Sequence, residues 1–428
     1  MAKLALLGGQ KVRVKEFAEN AIIGEEERQR VNEVLESGML SGFIASPGKC
    51  FLGGKQVREF EQLIRDYFTV KHAVTVNSAT AGLHIALGAC DVGPGDEVIV
   101  PPYTMSATAT AVIMMNAIPI FADIEDETFC LDPEKVKEKI TPRTKAIVVV
   151  HLFGHSAYMD EIMVLASEHN ISVIEDCAQA PGATYKNRLV GTIGDVGVFS
   201  LNQHKTITCG EGGFAITNND DFALRMQLIR NHGEVVAGKM HVEDINGLIG
   251  FNYRMTELEA AVSIGQFKRL DQLNDHRIKL AQYLNEKLAK FNGLSLPHPK
   301  PGCKHVYFCY SFKFAAQTFG ISRDVFVRAL EAEGIPFSAA YVRPIYLEPI
   351  YQKKIAYGDK GCPFSCAYYK GTVNYAKGDC PVCERMYEKE LVLGAVCRYP
   401  HTKEDMDDVV AAIEKISANI AELEKAKI

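Results

Sequence analysis

Phe199–Thr217 reads FSLNQHKTITCGEGGFAIT. Together with the preceding residues it makes two short apolar runs, VGVFSL and GFAIT, parted only by a loop. That loop carries one lysine, Lys205, between Asn-Gln-His and a Gly-Glu-Gly-Gly hinge. Lysine is ordinarily a solvated surface residue. A surface lysine needs no tight connection between two strands that read as buried, so Lys205 asks for a chemical reason.

Upstream, further strand-like runs recur: AVTVN, DEVIV, AIPIFADI, KAIVVV and SVIED. Helical stretches such as 79–90 and 158–169 lie between these five. Apolar strands alternating with amphipathic helices predict an α/β domain with a mostly parallel, seven-stranded sheet covered on both faces. After Gly250 the pattern changes. MTELEAAVSIGQFKRLDQLNDHRIKLAQYLNEKLAKF predicts one long helix or two. A Pro-rich turn, a strand-like VYFCYSFKF, a helix over 322–333, an irregular stretch and a last helix after His401 follow. The expected division is an N-terminal arm at 1–55, a large domain at 56–255 and a smaller α+β domain at 256–428. A Cys-rich insertion at 341–383 falls within the last. The arm is expected to pack on the small domain or on a partner subunit.

The chain has 428 residues, 47% of them hydrophobic, which exceeds what one compact core needs. Formal charge is -6, and acidic and basic residues alternate along the chain, so nothing suggests nucleic acid. The start does not read as a secretory signal, and ATAVIMMNAIPIFA is too short to span a bilayer. Twelve cysteines in such a chain predict a reducing, cytoplasmic setting.

Two more segments carry chemistry. In Val76–Leu87, VNSATAGLHIAL, a strand ends in small hydroxyl residues and a helix begins. Free N–H groups at a helix start hold phosphate, and Ser78 and Thr80 stand there, although simple capping is the plainer reading of these residues alone. In Ser172–Ala183, SVIEDCAQAPGA, an apolar strand runs into Glu175 and Asp176. Carboxylates at the carboxyl end of a parallel strand lie where open α/β sheets bind ligands. Asp176 and Gln179 share one side if the turn is helical; an acidic helix N-cap explains the segment equally. A phosphate cup, an end-of-strand aspartate and a loop lysine are together what pyridoxal phosphate needs. The lysine amine forms a Schiff base, and the carboxylate keeps the ring nitrogen protonated.

These segments resemble the DegT/DnrJ/EryC1/StrS family of sugar aminotransferases, which are fold-type I pyridoxal phosphate enzymes. The resemblance starts at LALLGG and runs through VREFEQLIRDYFTVKHAVTVNSATAGLHIALGACDVGPGDEVIVPPYT, VVVHLFGH, VIEDCAQAPGATY, GDVGVFSLNQHKTITCGEGG and GFNYRMTELEAA. It implies that Lys205 forms the imine, Asp176 partners the pyridine nitrogen and Gln179 bonds the ring hydroxyl. Ala79, Thr80 and Ser200 match the phosphate cup. Asn252, within GFNYR, matches the asparagine that reaches the neighbouring subunit's phosphate, so a homodimer with shared sites is implied. Relatives with histidine in place of the imine lysine dehydrate sugars. Here the register places Lys205, not His204, at that point, which favours transamination. In PPYTMSATAT the family has an aromatic residue where this chain has Met105. Met105 is expected to take over the ring contact, its sulfur tolerating a ring face, with Tyr103 as the substitute.

Cys362 and Cys366, then Cys380 and Cys383, give C-x₃-C and C-x₂-C pairs. Such spacing suits a structural zinc site, or free thiols in an irregular insertion. Cys209 reads as packing. The resemblance implies a keto-sugar or keto-cyclitol as amino acceptor and glutamate or glutamine as donor. The LALLGG start and the CPVCERMYEKELVL tail lean toward rings without a nucleotide; a nucleotide-linked keto-deoxysugar is the alternative. Tyr310, Arg343 and His401 are candidate substrate contacts from the small domain, although such residues are more often structural. A cofactor-binding regulatory protein without turnover is the competing class.

Overall fold

A computed structural model describes residues 2–18 and 23–426. Residues 1 and 19–22 of the expected arm, and residues 427–428, lie outside the described residues. The chain first forms helices α1 (Glu25–Ser37) and α2 (Lys55–Phe68). In α2, Val57, Phe60, Ile64 and Phe68 recur at helical spacing and are buried.

Nine strands follow within the large domain. They are β1 (His72–Val76), β2 (Glu97–Val100), β3 (Ile118–Phe121), β4 (Thr144–Val150), β5 (Ser172–Asp176), the small hairpin β6 (Thr184–Tyr185) and β7 (Arg188–Leu189), β8 (Val196–Ser200) and β9 (Gly213–Thr217). Seven form one sheet in the order β1-β9-β8-β5-β4-β2-β3. β3, β2, β4, β5 and β8 run parallel, while β9 is antiparallel to both its neighbours. The reversal follows from the short lysine loop. A connection without a crossover helix cannot return the chain to a parallel strand. Valine and isoleucine fill both faces of β4 and β5, as a sheet covered on two sides requires.

The sheet's carboxyl edge collects the starts of two helices, α3 (Ala79–Ala89) after β1 and α4 (Ala107–Met114) after β2. Helix α3 lies almost flat on the sheet and is buried nearly all round. Gly82 permits this, because a Cβ there would stand 2.7 Å from Val198 Cγ1.

The long helical pattern resolves into two helices, Glu257–Phe267 and Leu270–Leu288, with the break at Lys268 and Arg269. The first opens with a Thr256/Glu259 capping box. A smaller antiparallel sheet follows, in the order β10 (Leu294–Ser295), β11 (Tyr310–Phe314), β13 (Leu391–Gly394), β12 (Ser338–Ala339). Helices Arg323–Ala332 and Lys403–Ala418 cover it, and Phe312, Phe314, Phe326 and Ile413 share their core. Leu4 joins that core, and Arg13 pairs with Asp405 and Asp408, so the first residues lie on this domain.

The stretch expected to be irregular holds only short helices, among them Pro349–Gln352 and Pro381–Arg385. Its buried rings, Tyr346, Tyr351 and Tyr375, meet Phe121 of β3 at centroid distances of 5.4–5.7 Å. It therefore packs on the edge of the large sheet. Cys380 and Cys383 belong to that core, whereas Cys362 and Cys366 are half-exposed. Among the described residues the four thiols form no metal-sized group.

Candidate active site

β5 sends two adjacent carboxylates to opposite faces, as alternation along a strand requires. Glu175 is buried and structural. It accepts hydrogen bonds from His151 Nε2 (2.9 Å) and from the N–H groups of Gly191, Ile193 and Gly194 (2.6–2.7 Å). These donors hold its carboxyl below the usual range despite burial. Asp176 ends the strand and faces the carboxyl edge. It accepts from the Thr108 hydroxyl and the Ala178 N–H, both at 3.1 Å. Burial raises its pKa, and the charge of Lys205 pulls it back.

Lys205 sits in the loop between β8 and β9. Its N–H is fixed by the Asn202 carbonyl (2.9 Å), and the loop is closed by Cys209 N–H to Leu201 O (3.0 Å). Its ammonium lies 4.9 Å from the ring centre of Phe308, which arrives from the far side. Burial lowers its pKa, while Asp176 and then Cys309 oppose the change. A half-buried amine with lowered basicity, acted on by the buried Asp176 carboxylate, suits a nucleophile toward a carbonyl.

The start of α3 completes the edge. Ser78 caps it, accepting from Ala81 N–H at 3.1 Å. The N–H groups of Ala79 and Thr80 have no intrahelical partner and point where an anion binds. Gly213, opening β9, lets this helix start come close; a Cβ there would stand 2.7 Å from Ala79 N and from Phe199 O. Ser200, buried at the end of β8, pairs directly with Gly213. Thus Asp176, Ser200, Lys205 and the α3 start share one sheet edge.

Gln179 is clamped on two sides. Its Oε1 accepts from Phe153 N–H at 2.8 Å, and its Nε2 donates to the Tyr341 hydroxyl at 3.1 Å. Met105 is 56% exposed, one helical turn before Thr108. Tyr103 is fully buried, and its hydroxyl accepts from Tyr341 N–H at 2.9 Å, so it stands in a structural place and not a ring-facing one. Asn252 is exposed and accepts from Arg254 Nε.

Two of the three candidate substrate contacts do not survive. Tyr310 is fully buried and bonded to Asn285, and both nitrogens of His401 are bonded to the carbonyls of Val396 and Ala18. Arg343 remains exposed, two residues from Tyr341. Sequence reasoning missed Thr108, Phe308 and Tyr341. Thr108 had a signal, since it lies three residues after Met105 and so on the same helical face. Phe308 and Tyr341 had none, because chain separation hides their approach.

A buried carboxylate that forms no salt bridge among the described residues fits a protonated ring nitrogen. The free helix start fits a phosphate, and the desolvated amine fits an aldehyde. The residues present therefore fit pyridoxal phosphate.

Comparison with known proteins agrees. The profile of the DegT/DnrJ/EryC1/StrS aminotransferase family matches residues 21–374. L-glutamine:2-deoxy-scyllo-inosose aminotransferase of Streptoalloteichus tenebrarius is 36% identical over 86% of this chain and 87% of its own. GDP-perosamine synthase of Caulobacter vibrioides is 40% identical over 70% of this chain and 79% of its own. The structure of S. venezuelae DesV in complex with a ketimine intermediate superposes with a TM-score of 0.76 at 30% identity, covering 92% of this chain and 94% of that one. The chain belongs to the DegT/DnrJ/EryC1/StrS aminotransferase family and is a pyridoxal-phosphate-dependent aminotransferase.

Proposed function

We propose that this enzyme moves an amino group from glutamine or glutamate to a ring ketone of a cyclitol or sugar that carries no nucleotide. The observation that supports it most is the placing of Lys205 and Asp176 at one sheet edge, beside a helix start free to hold phosphate. The cofactor supplies an electron sink for a carbanion beside its ring. Lys205 holds it covalently through Nζ. The Lys205 amine, when free, would serve as the base that moves a proton between carbons. Asp176, held by Thr108 and Ala178, keeps the ring nitrogen charged. Gln179 offers an N–H to the ring oxygen. Ala79, Thr80 and Ser200 take the phosphate, and Met105 covers one ring face.

In this reading the enzyme works as a homodimer, with Asn252 reaching the partner's phosphate. Asn252 bridges to Asn231, which donates to the Ile44 and Phe51 carbonyls, and Ile44 and Ile249 in these segments are exposed. Such a patch suits burial against a second copy. The cyclitol-acting relative matches over more of this chain than the nucleotide-sugar one, which supports the unlinked ring.

The holoenzyme is offered a panel of free keto-cyclitols, keto-hexose phosphates and nucleotide-linked keto-deoxysugars with each donor, and products are weighed. Amination of the free rings is expected. Amination confined to nucleotide-bearing ketones refutes the substrate assignment, and a bound cofactor that no donor bleaches identifies a regulatory binder.

A further inference from the structure

Tyr341 belongs to the second domain. It follows the short edge strand β12, where Ala340, at φ +63°, turns the chain toward the large sheet. Its ring packs edge-on against Phe153 at 5.4 Å and Tyr103 at 6.3 Å. Its N–H is spent on the Tyr103 hydroxyl, which anchors the backbone at this place. Its own hydroxyl accepts from Gln179 Nε2.

The amide of Gln179 is thereby oriented at both ends. Phe153 N–H takes the oxygen, and Tyr341 takes one of the two protons on Nε2. One N–H remains. With both ends fixed, the amide cannot flip its oxygen toward the cofactor, and the remaining proton has a set direction.

We propose that Tyr341 is a positioning residue for the transamination: it holds Gln179 so that its remaining N–H is presented to the cofactor's ring oxygen, and so makes that hydrogen bond depend on how the C-terminal domain is seated. The proposal rests on the assignment of Gln179 to that oxygen. A donor to the ring oxygen draws negative charge off it. The oxygen then holds the proton on the neighbouring Lys205 nitrogen less firmly. Loss of the donor raises the pH at which that nitrogen deprotonates, which is read directly as the pH midpoint of the bound cofactor's visible absorption. Asp176 and Cys309 are the titratable groups that act on Lys205, and none of the substitutions below removes them.

The test compares holoenzymes of the full chain: Gln179→Leu, Tyr341→Phe and the double variant. Phenylalanine keeps the contacts to Phe153 and Tyr103 and removes only the acceptor. Tyr341→Phe is expected to raise the midpoint by about half a unit, the scale of one weakened hydrogen bond. Gln179→Leu is expected to raise it further, and the double variant to match Gln179→Leu. If Gln179→Leu shifts the midpoint and Tyr341→Phe does not, or if the two shifts add, the role of Tyr341 is refuted. If Gln179→Leu causes no shift, the Gln179 assignment itself is wrong. Should Tyr341→Phe not fold, Tyr103→Phe decides in its place. It frees the Tyr341 backbone, so an upward shift supports the proposal and an unchanged midpoint overturns it.

Discussion

Gly213→Ala tests the phosphate cup by geometry alone. The new Cβ would stand 2.7 Å from Ala79 N and Phe199 O and 2.9 Å from Ser78 C. Ordinary contact begins at 3.4 Å, so about 0.7 Å of movement is needed. Every neighbour is backbone. Phe199 lies in β8, paired to β9 on both sides of this point, and cannot yield. The α3 start must therefore retreat. Overpacking of this kind costs about 1–3 kcal/mol in stability. A retreat of about 0.7 Å also stretches an N–H to phosphate bond of about 2.9 Å beyond useful length. Losing one charge-assisted bond of about 1.5–3 kcal/mol weakens cofactor binding by roughly tenfold to a hundredfold. Denaturant titration of the apoenzyme and fluorescence titration with pyridoxal phosphate give the two numbers. Gly93→Ala, where a Cβ meets nothing within 4 Å, is the control and should change neither. If Gly213→Ala binds the cofactor as tightly as the parent, the α3 start is not the phosphate site.

Three further outcomes follow from the buried polar groups. His84 lies under the GFNYR segment with its ring on Phe251, and burial pulls its pKa down to about 4. The unfolded chain then binds the extra proton first. Stability should fall from pH 6.5 toward 4, by up to about 3 kcal/mol, and His84→Gln should flatten that slope in urea titrations across this range. Glu175→Ala strands three buried N–H groups and His151, so a loss of at least 3 kcal/mol or failure to fold is expected on the scale of about 1–3 kcal/mol per orphaned group; unchanged melting would refute its structural role. Cys380 and Cys383 are buried thiols whose pKa values burial raises, which disfavours the thiolates zinc needs. A strong chelator should leave the melting temperature unchanged, and a drop would show that a structural metal was removed.

The seven strands were legible because each is a short apolar run bounded by small or polar residues; the expected amphipathic pattern of the helices fails at α3, which is buried nearly all round. The lysine loop was legible for a different reason: Lys205 contradicts its surroundings. Asp176 could be placed at the strand's end, but its neighbour Glu175 could not be told apart from it by composition. Only the strand's alternation separates the face of the candidate site from the structural one. Met105 was noticed because it departs from a family pattern. Tyr310 and His401 could not be sorted between substrate contact and structural role from sequence, and burial with core and backbone partners gives them the structural one. Tyr341 and Phe308 stayed hidden. They reach Gln179 and Lys205 across more than a hundred residues of chain, and no local periodicity encodes that approach.

The central claim is a covalent bond at one nitrogen. The holoenzyme is reduced with borohydride, digested, and the peptides weighed. The pyridoxyl mass is expected on the peptide containing Lys205, and Lys205→Ala should abolish both label and turnover. A label on any other lysine, or full turnover in Lys205→Ala, would contradict it.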